Sequence, residues 1–334
     1  MAELKPLEHR QYAHCESGVV SALLRCHGLD LSEPMVFGIT GGLTFAFIPF
    51  IKITNMPVIS YRMIPGAIIK GAVKNLDVRF NTRRYGEKEK ALAELTNLVD
   101  RGEMVGLQTS VYWLPYFPPE MRFQFNAHNL IVYGREGKEF LVSDPVFEHP
   151  VRIKAEDLQN ARFARGTFAP KGFMYYPARV NPSIDLNEAI RKAIKRTVHM
   201  MLYAPVPFIG VKGIHYLGRR IERLNTREDL KYVRLFLGHI VRMQEEIGTG
   251  GGGFRFMYAA FLQEAGHLIG STRLEEASRM MTEAGDMWRQ FALACARACK
   301  SKTADFDVRE IAQLVQKCAT QEKLVFSLLK SMKL

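Results

Sequence analysis

No segment of this chain is long and apolar enough to cross a bilayer as a helix. The longest uncharged run, residues 35–51, falls short of the ~20 residues a spanning helix needs. It is also broken by Gly38, Gly41, Gly42 and Pro49, and reads as a glycine loop followed by a buried strand. Cysteine is scarce and odd in number, five in 334 residues, which does not suit a disulfide framework. The opening MAELKPLEHRQY has neither the basic nor the apolar stretch of a secretion signal, so the expected setting is reducing and cytoplasmic, with no membrane partner. There is no internal repeat, and no low-complexity tract beyond one glycine run. A basic stripe interleaved with aromatics is missing too. The formal charge of +12 is scattered through pieces such as IRKAIKR and LGRRIERL, which argues against nucleic acid and leaves an acidic partner of another kind.

What remains is an ordinary globular composition, 47% hydrophobic and 24% charged, with enough chain to bury a core in each of two domains. Its character changes near residue 180. Before that point, LTFAFIPFIKI, PVISYRM, DVRFNT, EMVGLQTSVYW, NLIVYG and EFLVSDP have the β-branched and aromatic content of strands, and helices are predicted over 16–26, 65–75 and 88–101. After PARVNPSID come long segments of period 3.6, over 186–202, 213–224, 229–247, 254–268, 273–300 and 308–332. The expected architecture is an α+β domain over 1–180 followed by an all-α helical bundle over 181–334. Asn181-Pro182-Ser183 marks the join, and Ser183 or Asp185 is available as a helix N-cap.

The chemistry concentrates around QYAHCESGVVSALLRCHG, residues 11–28, where Cys15 begins an amphipathic helix. His14-Cys15 and Cys26-His27 look like a metal pair. Along a straight helix, however, their eleven-residue separation spans about 16 Å, too far for one tetrahedral ion or a disulfide. Two readings stay open. Cys15 packs as a small apolar residue, as most free cysteines do, or it is a nucleophile whose thiolate is favoured by the N-terminal helix dipole, with Glu16 working slightly against that effect.

A nucleophile needs a base, and the base an orienting group. NAHNLIVYGREGKEFLVSDP, residues 126–145, reads as a β-hairpin with the three-residue loop Arg135-Glu136-Gly137. Counting outward pairs Val132 with Phe140, Leu130 with Val142, and His128 with Asp144, all on one face. A two-residue loop would shift the register by one and send Asp144 to the opposite face. With the three-residue loop, Cys15, His128 and Asp144 form a nucleophile, base and orienter recognised by role rather than chain order. A satisfied histidine at a strand edge is the competing reading of His128.

HCESGVVSALLRCHGLDLSEPMVFGITGGLTF, residues 14–45, resembles the opening of the butirosin biosynthesis protein H family, with a helix-borne cysteine, a following acidic residue and an FG-x-x-GG loop. AHNLIVYG and VSDP resemble later positions of that family and, more loosely, the His and Asp segments of papain-like bacteriocin-processing peptidases. GTGGGGFRFMYAAFLQEA, residues 248–265, resembles a helical domain of unknown function that often follows. The resemblance implies a papain-like fold used for acyl transfer. Cys15 would attack the phosphopantetheine thioester of an acyl carrier protein, His128 would move the proton and later deprotonate a small-molecule amine acceptor, and Asp144 would hold the imidazole. No bound cofactor or metal is implied, because the carrier brings its own phosphopantetheine. Papain-like peptidases carry a glutamine about six residues before the cysteine for the oxyanion. Here that position is His9, so the Cys15 backbone N–H with the side chain of Gln11 or His14 are the candidate donors.

Weaker signals complete the reading. Glu33, Gly41 and Gly42 could wall the cleft or simply turn the chain between helix and strand. The run at 248–253 lacks the Lys-Ser/Thr of a phosphate-binding P-loop. It precedes a helix carrying Arg255, however, so Gly250, Gly251 and Arg255 are candidates for the carrier's phosphate, with a plain interhelical connection as the alternative. Cys295, Cys299 and Cys318 read as bundle core. LVFSLLKSM suits a homodimer contact or the last helix of a bundle. The leading function is a carrier-dependent acyltransferase of secondary metabolism. A cysteine peptidase or amidohydrolase using the same residues stands against it, as does a non-catalytic binding module.

Overall fold

The structure, a computed structural model, describes residues 6–53, 55–224, 229–301 and 306–332. The chain forms two compact units, one of Met1–Val36 with Pro65–Asp185, the other of Phe37–Ile64 with Leu186–Leu334.

The first unit is built on a six-stranded antiparallel sheet in the order β3-β8-β4-β5-β6-β7, formed by Val78–Arg83, Met174–Val180, Val105–Thr109, His128–Glu136, Glu139–Ser143 and Val151–Lys154. Alternation along these strands gives the sheet two buried faces. On one, Leu130, Val132, Val142, Leu107 and Met174 form a single core with Leu95, Leu98 and Val99 of α4 (Lys88–Asp100) and Leu158 and Ala161 of α5 (Ala155–Arg162). The other face, towards which Asn129 and Ile131 point, is covered by α1 (Cys15–Cys26), packed on β5, β4, β8 and α3 (Ala67–Asn75). β7, α5 and β8 escape the sequence reading because each is short and carries few β-branched or periodic apolar residues.

In the second unit, α6 (Leu186–Tyr203), α7 (Gly210–Glu222), α8 (Leu230–Val241), α9 (Arg255–Ile269), α10 (Thr272–Lys300) and α11 (Val308–Ser331) pack around aromatic side chains. At its centre Trp288 stacks on Phe45 and meets Tyr61 edge-on, with ring centroids 5.7 and 5.2 Å apart. Phe45 and Tyr61 come from the antiparallel hairpin of β1 (Leu43–Ile53) and β2 (Met56–Arg62). The fold class is therefore the one the sequence indicates, an α+β part followed by a helical part, but the compact units do not follow chain order. The division falls after Asp185 rather than after residue 180, and the hairpin groups with the helices.

Segment 33–42 also differs from a plain glycine loop. Glu33–Ile39 is a two-turn helix, α2, started by Ser32, whose hydroxyl accepts from Met35 N at 3.1 Å. It ends where Gly41 takes φ +72° and Gly42 N donates to the Phe37 carbonyl.

Candidate active site

Cys15 is the first residue of α1, and several contacts fix it there. The His14 side chain caps the helix by accepting from Ser17 N. Glu33 grips the preceding turn: one carboxylate oxygen accepts from Ala13 N (2.9 Å), the other from His14 N (2.8 Å) and the Ser17 hydroxyl (3.0 Å). Burial raises the Glu33 carboxyl above its ordinary value, and these donors partly offset that. The Tyr12 ring lies so close over Gly18 that a Cβ there would sit 2.5 Å from it. Glu16 turns away from the nucleophile. Its buried carboxylate accepts from Gly66, Ile68 and Ile69 N, capping α3. The expected small penalty from Glu16 beside the thiol therefore meets a carboxylate already engaged at another helix dipole.

His128 opens β5, and its alignment with Asp144 arises differently from the three-residue loop. Glu136 pairs with Glu139, so the turn is the two-residue Gly137-Lys138, which alone would put Asp144 on the wrong face. A bulge at Tyr133, between the Val132–Val142 and Gly134–Leu141 pairs, shifts the register back by one. Side chains of even number on β5 up to Val132 then share a face with Val142 and with Asp144 beyond it. Asp144 reaches His128 as a diagonal neighbour rather than the directly opposed one expected.

His128 Nε2 donates to Asp144 Oδ2 at 2.7 Å. Asp144 is fully buried, and its carboxylate also accepts from the Tyr116 hydroxyl at 2.9 Å and from Val146 N at 3.0 Å. Burial, reinforced by the adjacent carboxylate, pushes the Tyr116 phenol well above its ordinary value, so it stays a donor. The Phe117 ring stands edge-on to the imidazole, centroids 5.6 Å apart, with Phe147 edge-on behind it at 4.8 Å, keeping water from the pair. The Cys15 thiol lies close by, its Sγ 3.9 Å from the Ala127 carbonyl oxygen, next to His128 in sequence. Burial alone would push His128 down, but Asp144 and Cys15 outweigh it and raise the imidazole from 6.5 to about 10. At neutral pH His128 thus carries a proton beside the Cys15 sulfur.

Residues before α1 are laced to the loop carrying Asp144. Tyr12 N donates to the Pro145 carbonyl at 2.9 Å and Gln11 Nε2 to the Val146 carbonyl at 2.9 Å. Both ring nitrogens of His9 are hydrogen-bonded, to Ser143 Oγ and to the Phe147 carbonyl. Gln11 and His14 thus have structural work, tying two loops and capping α1.

The family described as "Butirosin biosynthesis protein H, N-terminal" matches residues 14–145, and a "Domain of unknown function (DUF4872)" matches residues 156–329, more than half the chain. The chain belongs to the butirosin biosynthesis protein H-like family. A solved structure described as a C39-like peptidase from Bacillus anthracis aligns with 14% identity and a TM-score of 0.38, covering 53% of this chain and 96% of that one. No curated protein matches the chain.

Within this family member, Cys15, His128 and Asp144 meet in the first unit, and Glu33 lies beside them as the brace of the nucleophile loop rather than a substrate contact. The remaining candidates need correction. Gly41 and Gly42 end α2 and belong to the other unit. Arg255 cannot receive a phosphate: it is wholly buried, and its guanidinium forks onto Glu322 at 2.8 and 3.1 Å and donates to the Gly253 carbonyl at 2.6 Å. Nor is the glycine run an open anion cradle. Gly251 N donates to Thr249 Oγ1 and Gly252 N to the Glu245 carboxylate, while a Cβ on Gly251 would strike Arg289. The sequence reading missed Tyr116, Phe117 and Asn129, since no motif marks a residue that only supports the reacting groups. Asn129, adjacent to His128 on a strand, was the accessible clue.

Proposed function

We propose that the protein is an acyltransferase that takes an acyl group from the phosphopantetheine thioester of an acyl carrier protein and delivers it to an amine or hydroxyl of a small-molecule acceptor in secondary-metabolite or antibiotic biosynthesis. The observation that carries the proposal is the Cys15–His128–Asp144 arrangement, with a buried imidazole hydrogen-bonded to Asp144 and raised by both Asp144 and Cys15. Membership of a family named for butirosin biosynthesis supports transfer over hydrolysis. The formal charge of +12 suits an acidic carrier.

In this reading the Cys15 sulfur attacks the thioester carbonyl. As the carbon–sulfur bond to pantetheine breaks, His128 gives its proton to the departing thiolate, leaving an acyl-cysteine and a neutral imidazole. The acceptor nitrogen or oxygen then attacks the acyl carbon, His128 takes its proton, and the Cys15 thiolate leaves, restoring the starting charges. Asp144 keeps the same Nε2–H tautomer through both halves. Intact-protein mass spectrometry after mixing the enzyme with acyl-carrier thioesters tests this. An acyl adduct on the wild type, absent from Cys15→Ala and discharged by amines, is expected. Labelling of Cys15 by a peptide-like electrophile with no adduct from any carrier would make the protein a hydrolase, and silence to both a binding module.

A further inference from the structure

Asn129 follows His128 on β5, so its side chain points to the opposite face, beneath the head of α1. It is buried, and the chemistry of its neighbours dictates which way its amide faces. The Ala127 carbonyl, 3.1 Å away, can only accept, so the atom against it is the nitrogen Nδ2. The oxygen Oδ1 then receives the Tyr175 hydroxyl at 2.9 Å. Burial holds that phenol well above its ordinary value, so it keeps the proton it donates. With one N–H on Ala127, the other is directed at Cys15 Sγ, 4.0 Å from Nδ2. Tyr175 in turn occupies space that β4 leaves open at Gly106, where a Cβ would lie 2.6 Å from the ring.

We propose that Asn129, locked by Tyr175, is a positioning residue that keeps a side-chain N–H on the Cys15 sulfur, where it can stabilise negative charge as that charge develops beside His128. The proposal deepens the acyl-transfer reading and rests on Cys15 being its nucleophile. A hydrogen bond to an anion is stronger than one to a neutral thiol, so this N–H favours the charged form. A flipped amide would present Oδ1 to the sulfur and do the opposite, which is why the lock matters.

The test needs no acyl donor: the pH dependence of Cys15 alkylation by iodoacetamide, read by peptide mapping of the full-length protein. Asn129→Leu should move the midpoint up by about one pH unit, a roughly tenfold loss of rate on the acid side. Asn129→Asp should move it further, because a carboxylate repels the thiolate, and Tyr175→Phe, which frees the amide to flip, should move it less. An unchanged midpoint in every variant that keeps the wild-type circular dichroism spectrum overturns the proposal. Tyr175→Phe removes a single oxygen and preserves the ring, so the test survives if Asn129→Leu does not fold. Failure of carriers to acylate a normally alkylated Cys15 would instead count against the acyl-transfer reading alone.

Discussion

Replacing Asp144 by asparagine removes the charge of the site while keeping its shape. An amide oxygen at the Oδ2 position can still receive Tyr116 and His128, but not as an anion. Removing one partner of a buried ion pair costs about 3–5 kcal/mol when the other stays charged. Here the imidazole can shed its proton, since its ordinary value of 6.5 lies just below neutrality. The cost should therefore fall near the lower end, about 3 kcal/mol, or a melting temperature lower by about 6–12 °C for a unit of this size. The pH dependence is more telling. A folded-state value raised from 6.5 to about 10 means that His128 contributes its full stabilisation below 6.5 and loses it as pH rises through about 10. Urea unfolding of the wild type should weaken across that window by up to about 1.4 kcal/mol per pH unit. In Asp144→Asn the slope should disappear and acyl transfer fall by about 10²–10⁴. A variant that keeps the wild-type slope and transfers within tenfold of wild type would refute the idea that Asp144 holds the charge on His128.

Two further substitutions probe the supports. Glu33→Gln sets an amide against backbone donors that a carboxylate satisfies, so stability should drop by about 1–3 kcal/mol in a thermal melt, and alkylation of Cys15 should slow as its turn loosens. Arg255→Met leaves the buried Glu322 carboxylate without its counter-charge and should cost about 3–5 kcal/mol in urea, whereas Arg255→Met with Glu322→Leu should recover only part of that, since it orphans the Trp288 indole N–H that donates to Glu322, and neither should change affinity for a carrier's phosphate if the protein folds.

Cys15, His128 and Asp144 were legible because nucleophile, base and orienter are demanding residue types at constrained places, a helix start and two strand ends. The hairpin shows the limits. Its turn was read one residue too long, and the bulge at Tyr133 compensated, because hydrophobic alternation fixes which side chains share a face better than it fixes which residues directly oppose. Arg255 shows the opposite failure. A basic residue after a glycine run looks like an anion site locally, and only the distant Glu322, 67 residues on, reveals that its charge is already matched. The grouping of β1 and β2 with the helices was hidden for the same reason, since their rings are completed by Trp288, far along the chain.

That grouping has a consequence for how the protein is made and inherited. During synthesis the helix bearing Cys15 emerges first, then a hairpin whose ring partner Trp288 will be translated more than two hundred residues later, and after the hairpin the strand bearing His128 and the loop bearing Asp144. Phe45 and Tyr61 can complete this ring cluster only once the helical part is synthesised. A gene cut at the apparent join near residue 180 would yield an N-terminal fragment carrying an orphaned aromatic ribbon and a bundle lacking part of its centre. A cut that keeps the helical unit whole has to carry segment 37–64 along with the C-terminal helices.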